Sequence, residues 1–140
     1  PVYVGPSGAG QLAKLANQGI VATTIGAVAE AMLLLEEGGA DPAAVRDALK
    51  GGFADSTILQ QHGERMTERN FAPGGLSRIQ VKDLDNLLEQ AAALDLDLPL
   101  SQDIRRRFVH FCEEMEGGDL DHSGLYLELR AHNNRKDTDQ

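Results

Sequence analysis

Apolar residues recur at helical spacing along almost the whole chain, and turn residues cut that pattern into six segments. The first runs over residues 11–38 and stops at Glu36-Glu37-Gly38-Gly39. A helix of that length spans roughly 40 Å, long enough to be the spine of a helical domain or dimer. Its small residues Ala13, Ala22, Gly26 and Ala29 would let other helices approach closely. Asp41-Pro42 reads as an N-cap with proline in the first helical position, opening a second helix over 42–49. Ser56-Thr57 caps a third, over 57–67. After the turn at Asn70–Gly75, a fourth covers 79–94, with Val81, Leu84, Leu87, Leu88 and Ala91 on its apolar face. Leu98-Pro99-Leu100-Ser101 breaks that helix and caps a fifth over 102–116, and a short sixth follows over 124–131. No strand alternation appears beyond Val2-Tyr3-Val4, which reads as the last strand of an upstream domain. The pattern predicts an all-α helical bundle with a long N-terminal helix.

Three regions follow: a hinge at 1–10, a helical domain at 11–131, and a polar tail at 132–140 expected to be disordered. The chain begins at Pro1, and an N-terminal domain is expected before it.

Composition narrows the function classes. A net charge of −9 leaves no basic stripe for nucleic acid. The cluster Arg105-Arg106-Arg107 is closely flanked by acids. The apolar run 20–35 is interrupted by Thr23, Thr24, Gly26 and Glu30, so no membrane span is expected. Cys112 falls on the stripe of Ile104, Phe108, Phe111 and Met115 and reads as a buried, inert thiol, in keeping with a reducing cytosol.

The candidate chemistry begins at the glycine cluster. Gly5, Gly8 and Gly10 have G-x-x-G-x-G spacing, and no βαβ unit follows, so they are not a dinucleotide fingerprint. They read as a hinge beside a helix start. Lys14, Asn17 and Gln18 share one helical face just past it, a cation beside two amides. In the first turns, free N–H groups and the dipole favour an anion. A carboxylate substrate with an adjacent carbonyl suits that place: the ammonium protonates a forming alkoxide and the amides orient the rest.

Other groups read as structural. Lys82-Asp83 is a surface pair, and Asp121-His122-Ser123 has the residue types of a hydrolytic triad but adjacent residues cannot form its relay. A helix cap is the better reading there. His62, His110, His122 and His132 show no metal-ligand spacing, so no metal is expected.

Taken together, these motifs resemble the C-terminal helical domain of the β-hydroxyacid dehydrogenase family, over nearly all of residues 3–131. The family's G-x-x-G-x-G-x-x-x-K-x-x-N pattern is met by Gly5, Gly8, Gly10, Lys14 and Asn17. Its K-D-L signature is met by Lys82, Asp83 and Leu84, and its closing D-x-S by Asp121 and Ser123. Lys14-Leu15-Ala16-Asn17-Gln18, the stretch 51–57, the stretch 69–74 and Leu98-Pro99-Leu100 look most like the tartronate semialdehyde (2-hydroxy-3-oxopropionate) reductase branch. Gly75-Leu76-Ser77 departs from the pattern, since relatives usually carry a bulky apolar residue after the first glycine, and we read this as a packing change.

The resemblance implies a missing Rossmann domain that binds NAD or NADP, and an active site in the cleft between the two domains. It implies Lys14 as the catalytic acid–base, Asn17 and Gln18 as substrate ligands, and Lys82 near the cofactor. It also implies a homodimer or tetramer through this domain, acting on a small hydroxyacid or semialdehyde, with this fragment inactive alone. The alternatives are a 3-hydroxyisobutyrate-type dehydrogenase and a non-catalytic helical oligomerisation module.

Overall fold

The structure, a computed structural model, describes residues 5–135. Six helices form: α1 (Ala9–Glu37), α2 (Pro42–Leu49), α3 (Thr57–Glu68), α4 (Ser77–Ala93), α5 (Pro99–Glu114) and α6 (Leu125–His132), the last preceded by a 3-10 turn at His122–Gly124. Among the described residues there is no strand, only an isolated antiparallel bridge between Leu76 and Asp121. The all-α expectation holds. Val2-Tyr3-Val4 and residues 136–140 of the expected tail lie outside the described residues.

Local signals explain most boundaries. Gly8 takes φ +90° at the start of α1, a conformation that strains any residue with a Cβ. The Asp41 carboxylate accepts from the N–H groups of Ala43 and Ala44, and Ser56 Oγ accepts from Leu59 N at 2.8 Å. Two expectations shift. Helix α5 starts at Pro99 itself, because proline is preorganised for the first helical position, so Ser101 lies inside the helix rather than capping it. Helix α4 starts at Ser77, two residues early, because its first turn is anchored from outside: Ser77 N donates to Leu120 O at 2.9 Å and Arg78 N to Gly118 O at 3.0 Å.

Helix α1 is the spine and packs against α3, α4, α5 and α6. Its buried residues Leu15, Gly19, Ala22, Ile25, Val28, Ala29 and Met32 form one face. A Cβ at Gly26 would lie 2.6 Å from Ile104 Cδ1, and one at Gly19 would lie 2.8 Å from Leu87 Cδ2. Gly19 thus joins Ala22, Gly26 and Ala29 as a close-approach position, whereas Ala13 is exposed and plays no such part. By length and composition alone α1 is also long and apolar enough to cross a membrane, which corrects the sequence expectation. That expectation judged only the 20–35 run; the helix extends well beyond it on both sides. Here one face is buried in the bundle, while Ile20, Ala27 and Leu34 stay exposed.

The core continues through Leu84, Phe108, Phe111, Leu125 and Tyr126. Arg46 of α2 is buried beneath α3, its guanidinium donating to Gly63 O and Thr67 Oγ1. The Tyr126 hydroxyl donates to Glu36, and burial together with that carboxylate pushes its pKa up to about 12. Cys112 is half-buried, and burial, then Glu113, push its thiol pKa up, so it stays protonated. Arg106 pairs with the flanking Asp103, whereas Arg105 and Arg107 pair with Asp85 of α4 and Glu128 of α6.

Phe108 is fully buried between helices. Phe108→Ala should lower unfolding free energy by about 3–5 kcal/mol, read from urea denaturation. A loss below about 1 kcal/mol would show that the α5 seam does not carry the core.

Candidate functional site

Lys14, Asn17 and Gln18 all lie on α1, on neighbouring turns of one face. Asn17 Nδ2 donates to Gln18 Oε1 at 3.1 Å. Gln18 Nε2 donates to Asp83 Oδ2 at 2.7 Å, joining α1 to α4. That bond fixes the Gln18 amide: its nitrogen faces Asp83 and its oxygen faces Asn17. Lys14 is exposed, with no hydrogen-bond or ion-pair partner among the described residues. Lys82 is likewise exposed and unpartnered, next to Asp83 in sequence.

The structure corrects one part of the sequence argument. Helix α1 begins at Ala9, so Lys14 stands about 7 Å along the axis from the first residue. The field of free N–H groups fades within the first turn. Ala9 N already donates to Pro6 O at 2.9 Å and Leu12 N to Gly8 O at 3.1 Å. An anion near Lys14 therefore depends on side chains rather than on the helix terminus. Asp83 is also no mere surface neighbour of Lys82, since it is half-buried and holds Gln18.

Beside this cluster lies a second one that sequence reasoning missed. His62 of α3 and His122 of the 3-10 turn meet with Nε2 atoms 2.9 Å apart. His122 Nδ1 lies 2.9 Å from Gln80 Oε1, and Gln80 Nε2 reaches the Gln18 carbonyl at 3.5 Å. A carbonyl only accepts, so Gln80 turns its nitrogen to Gln18 and its oxygen to His122. His122 therefore carries its proton on Nδ1 and offers Nε2 as an acceptor. His62 donates through Nε2, and its buried Nδ1 has no hydrogen-bond partner among the described residues.

Asp121 caps the turn as predicted: Oδ2 accepts from Ser123 N at 3.0 Å and from Ser123 Oγ at 2.5 Å, while Oδ1 accepts from Gly75 N at 3.0 Å. Arg65 Nε stands 3.2 Å from Oδ2. The expectation of no metal-ligand set rested on sequence spacing. The fold instead brings donor atoms of His62, Asp121 and His122 within 4.8 Å of one another across sixty residues of chain. Gly75 explains the packing: a Cβ there would lie 2.8 Å from His122 Nε2, so the imidazole occupies the space a side chain would need.

One signal of this cluster was legible. Ser77 and Gln80 interrupt the apolar stripe of α4 at the spacing of Leu84 and Ala91, and they are 0 % and 3 % exposed. Polar residues on a buried face need partners, and theirs lie in the 120–123 segment and at the Gln18 carbonyl of α1.

Burial sets the charge of these groups. It lowers the pKa of His122 despite the Asp121 carboxylate, with Arg65 adding to the fall. It also lowers that of His62, helped by His122 and Arg65. For Asp121 burial acts upward, but the Ser123 hydroxyl and N–H, His122 and the Gly75 N–H outweigh it, and the carboxyl falls below its usual value. The pair is thus neutral beside a charged carboxylate at neutral pH.

Residues 8–129 match the family model described as the NAD-binding region of NADP-dependent 3-hydroxyisobutyrate dehydrogenase. The chain is 47% identical over 133 residues to the 2-hydroxy-3-oxopropionate reductase of Escherichia coli (strain K12), covering 95% of this chain and 45% of the relative. Among solved structures, a Mycobacterium tuberculosis 3-hydroxyisobutyrate dehydrogenase studied with L-serine superposes with a TM-score of 0.82 at 26% identity, over 92% of this chain and 46% of that one. A Salmonella typhimurium 3-hydroxyisobutyrate dehydrogenase gives 0.78, also at 26% identity, over 85% and 41%. The chain spans less than half the length of each.

The neutral histidine pair makes stability depend on pH. The folded pKa values lie below the usual 6.5, so the unfolded chain takes up protons first as pH falls through that value. The contribution is complete above 6.5 and is lost on acidification toward the folded values. The urea midpoint should fall from pH 7 to pH 5, about half as steeply in His62→Gln; equal slopes would remove the pair as the cause.

Proposed function

Because the chain belongs to the 3-hydroxyisobutyrate dehydrogenase family of β-hydroxyacid dehydrogenases, we propose that it is the helical half of an NAD- or NADP-dependent enzyme reducing tartronate semialdehyde to D-glycerate. The observation that carries this reading is the likeness to the Escherichia coli reductase, which runs through the Lys14, Asn17 and Gln18 face and the Asp83 that holds it. The cofactor, when bound, supplies hydride to the aldehyde carbon.

This chain's residues would do the rest. Lys14, exposed and without a partner here, turns its ammonium to the carbonyl oxygen and gives up a proton as the alkoxide forms. In the oxidative direction it takes that proton back. Asn17 holds the substrate hydroxyl or the lysine. Gln18 spends one N–H on Asp83 and keeps the other for the substrate carboxylate. An anionic, hydroxyl-rich cofactor fits this chain at one point, the free Lys82 ammonium on α4. The remaining contacts belong to a facing Rossmann domain, since the described residues contain no strand to build one. Ile20, Ala27 and Leu34 recur every seven residues on the open face of α1, which favours self-association into a dimer or tetramer.

A 3-hydroxyisobutyrate-type dehydrogenase is the second reading, favoured by the names of the structural neighbours. Substrate decides between them. The full-length protein should oxidise reduced nicotinamide with tartronate semialdehyde in preference to methylmalonate semialdehyde. The reverse preference moves the assignment to the second reading, and cofactor binding with neither substrate turned over overturns both. Lys14→Ala should cost about a hundredfold or more in kcat while the protein stays folded. Asp83→Ala frees the Gln18 amide and should raise KM about tenfold with a smaller effect on kcat; an unchanged KM removes Gln18 from substrate binding.

A further inference from the structure

We propose that His62 and His122, with the Asp121 carboxylate as third donor, form a binding site for one divalent transition-metal ion of the zinc class. The dehydrogenase reading does not require this site, and the site does not rest on that reading.

Two imidazoles and one carboxylate are a donor set that zinc accepts, with a fourth position left to water. Here they come from α3 and from the turn before α6, so only the folded chain assembles them. Bonds of about 2.0–2.1 Å at a tetrahedral angle place two ligand nitrogens about 3.3 Å apart. The two Nε2 atoms are already 2.9 Å apart and need to open by a few tenths of an ångström, while the donor set as a whole spreads to 4.8 Å and the Asp121 carboxylate has to draw in to complete it.

The surroundings are those of a prepared ligand. Gln80, itself buried, holds the His122 proton on Nδ1 and leaves Nε2 bare, as a metal-binding histidine needs. His62 has to move its proton from Nε2 to Nδ1, which is buried without an acceptor among the described residues, and this offsets part of the binding energy. Both rings stay neutral and no proton is released. Asp121 Oδ1 accepts one hydrogen bond, from Gly75 N, so a lone pair remains for the ion. Oδ2 keeps Ser123 and Arg65.

Access is through the glycine pair. A Cβ at Gly75 would lie 2.8 Å from His122 Nε2, and one at Gly74 would lie 3.0 Å from Asp121 Oδ1. Both residues are exposed and neither has a side chain, so only backbone covers the half-buried His122 and the buried Asp121 at this edge. A bound ion would tie α3 to the 120–123 segment and, through Gln80, to the backbone of Gln18.

The test uses the full-length protein, stripped with chelator and dialysed, then titrated with Zn2+ by calorimetry. Wild type should bind one ion per chain. His62→Gln and His122→Asn should each weaken it at least tenfold, while His110→Gln, in the separate contact with Glu128, should leave it unchanged. Zn2+ at about a hundred times the wild-type Kd should raise Tm by several degrees in wild type and by about half as much or less in the two variants. No saturable uptake, or uptake that survives both variants, overturns the site. If a variant fails to fold, wild-type Co2+ spectra decide. Visible d–d bands of a four- or five-coordinate nitrogen–oxygen site support it, and a spectrum of hydrated Co2+ overturns it.

Discussion

The structure depends on how closely α4 and α5 approach α1. Gly19 sits under Leu87 and Gly26 under Ile104, each so close that a Cβ would make the end of the facing side chain shift. The two glycines are seven residues apart, on the same face as Ala22 and Ala29. Glycine inside a helix costs about 1 kcal/mol relative to alanine. Close contact offsets that cost by bringing Leu87 and Ile104 against the α1 backbone, where apolar area is removed from water on both sides. The same approach brings Asp83 of α4 within reach of Gln18, one residue before Gly19. Packing and site geometry therefore share one seam: a larger residue at 19 would displace the Leu87 side chain from the same α1–α4 contact that holds Asp83 to the Gln18 amide.

Helices were legible in the sequence because their signals are local. Asp41-Pro42 and Ser56 announce their helices with caps the structure reproduces bond for bond. The α4 boundary is misplaced because a distant segment supplies its start, whereas the α5 start is set by its own proline. Nothing near Ser77 in sequence says that Leu120 will accept its N–H, or that Gly118 will accept that of Arg78. Small residues on α1 pointed to close packing, but spacing alone could not separate the exposed Ala13 from the buried Gly19.

Much the same division runs through the site. Lys14, Asn17 and Gln18 lie within five residues, so helical periodicity places them together without knowledge of the fold. Asp83 needs the α1–α4 contact, and the histidine pair needs three elements at once: α3, the start of α4 and the 3-10 turn. Sequence spacing between His62 and His122 carries no metal signal because sixty residues separate them. The clue lay in Ser77 and Gln80, polar groups on a stripe that must be buried. The Gly75 departure from the family pattern belongs to the same event, since losing a side chain there is what lets His122 into its place.

Under the proposed function, the contrast between the two clusters is a division of labour. Groups that orient are fixed within this chain: Gln18 by Asp83, His122 by Gln80, Asp121 by Ser123, Gly75 and Arg65. Groups proposed to react or to meet the cofactor, Lys14 and Lys82, are exposed and unpartnered among the described residues. An ammonium held in an ion pair within its own domain would have to break that pair to reach a carbonyl, a cost paid in every turnover. Left free, it takes its geometry from the surface that closes over it. Under the proposed function the amides are preorganised, while the proton donor would reach its place only when a facing domain and substrate are present. In the proposed enzyme such an arrangement would tie the chemical step to closure, since water would be excluded as the lysine is positioned.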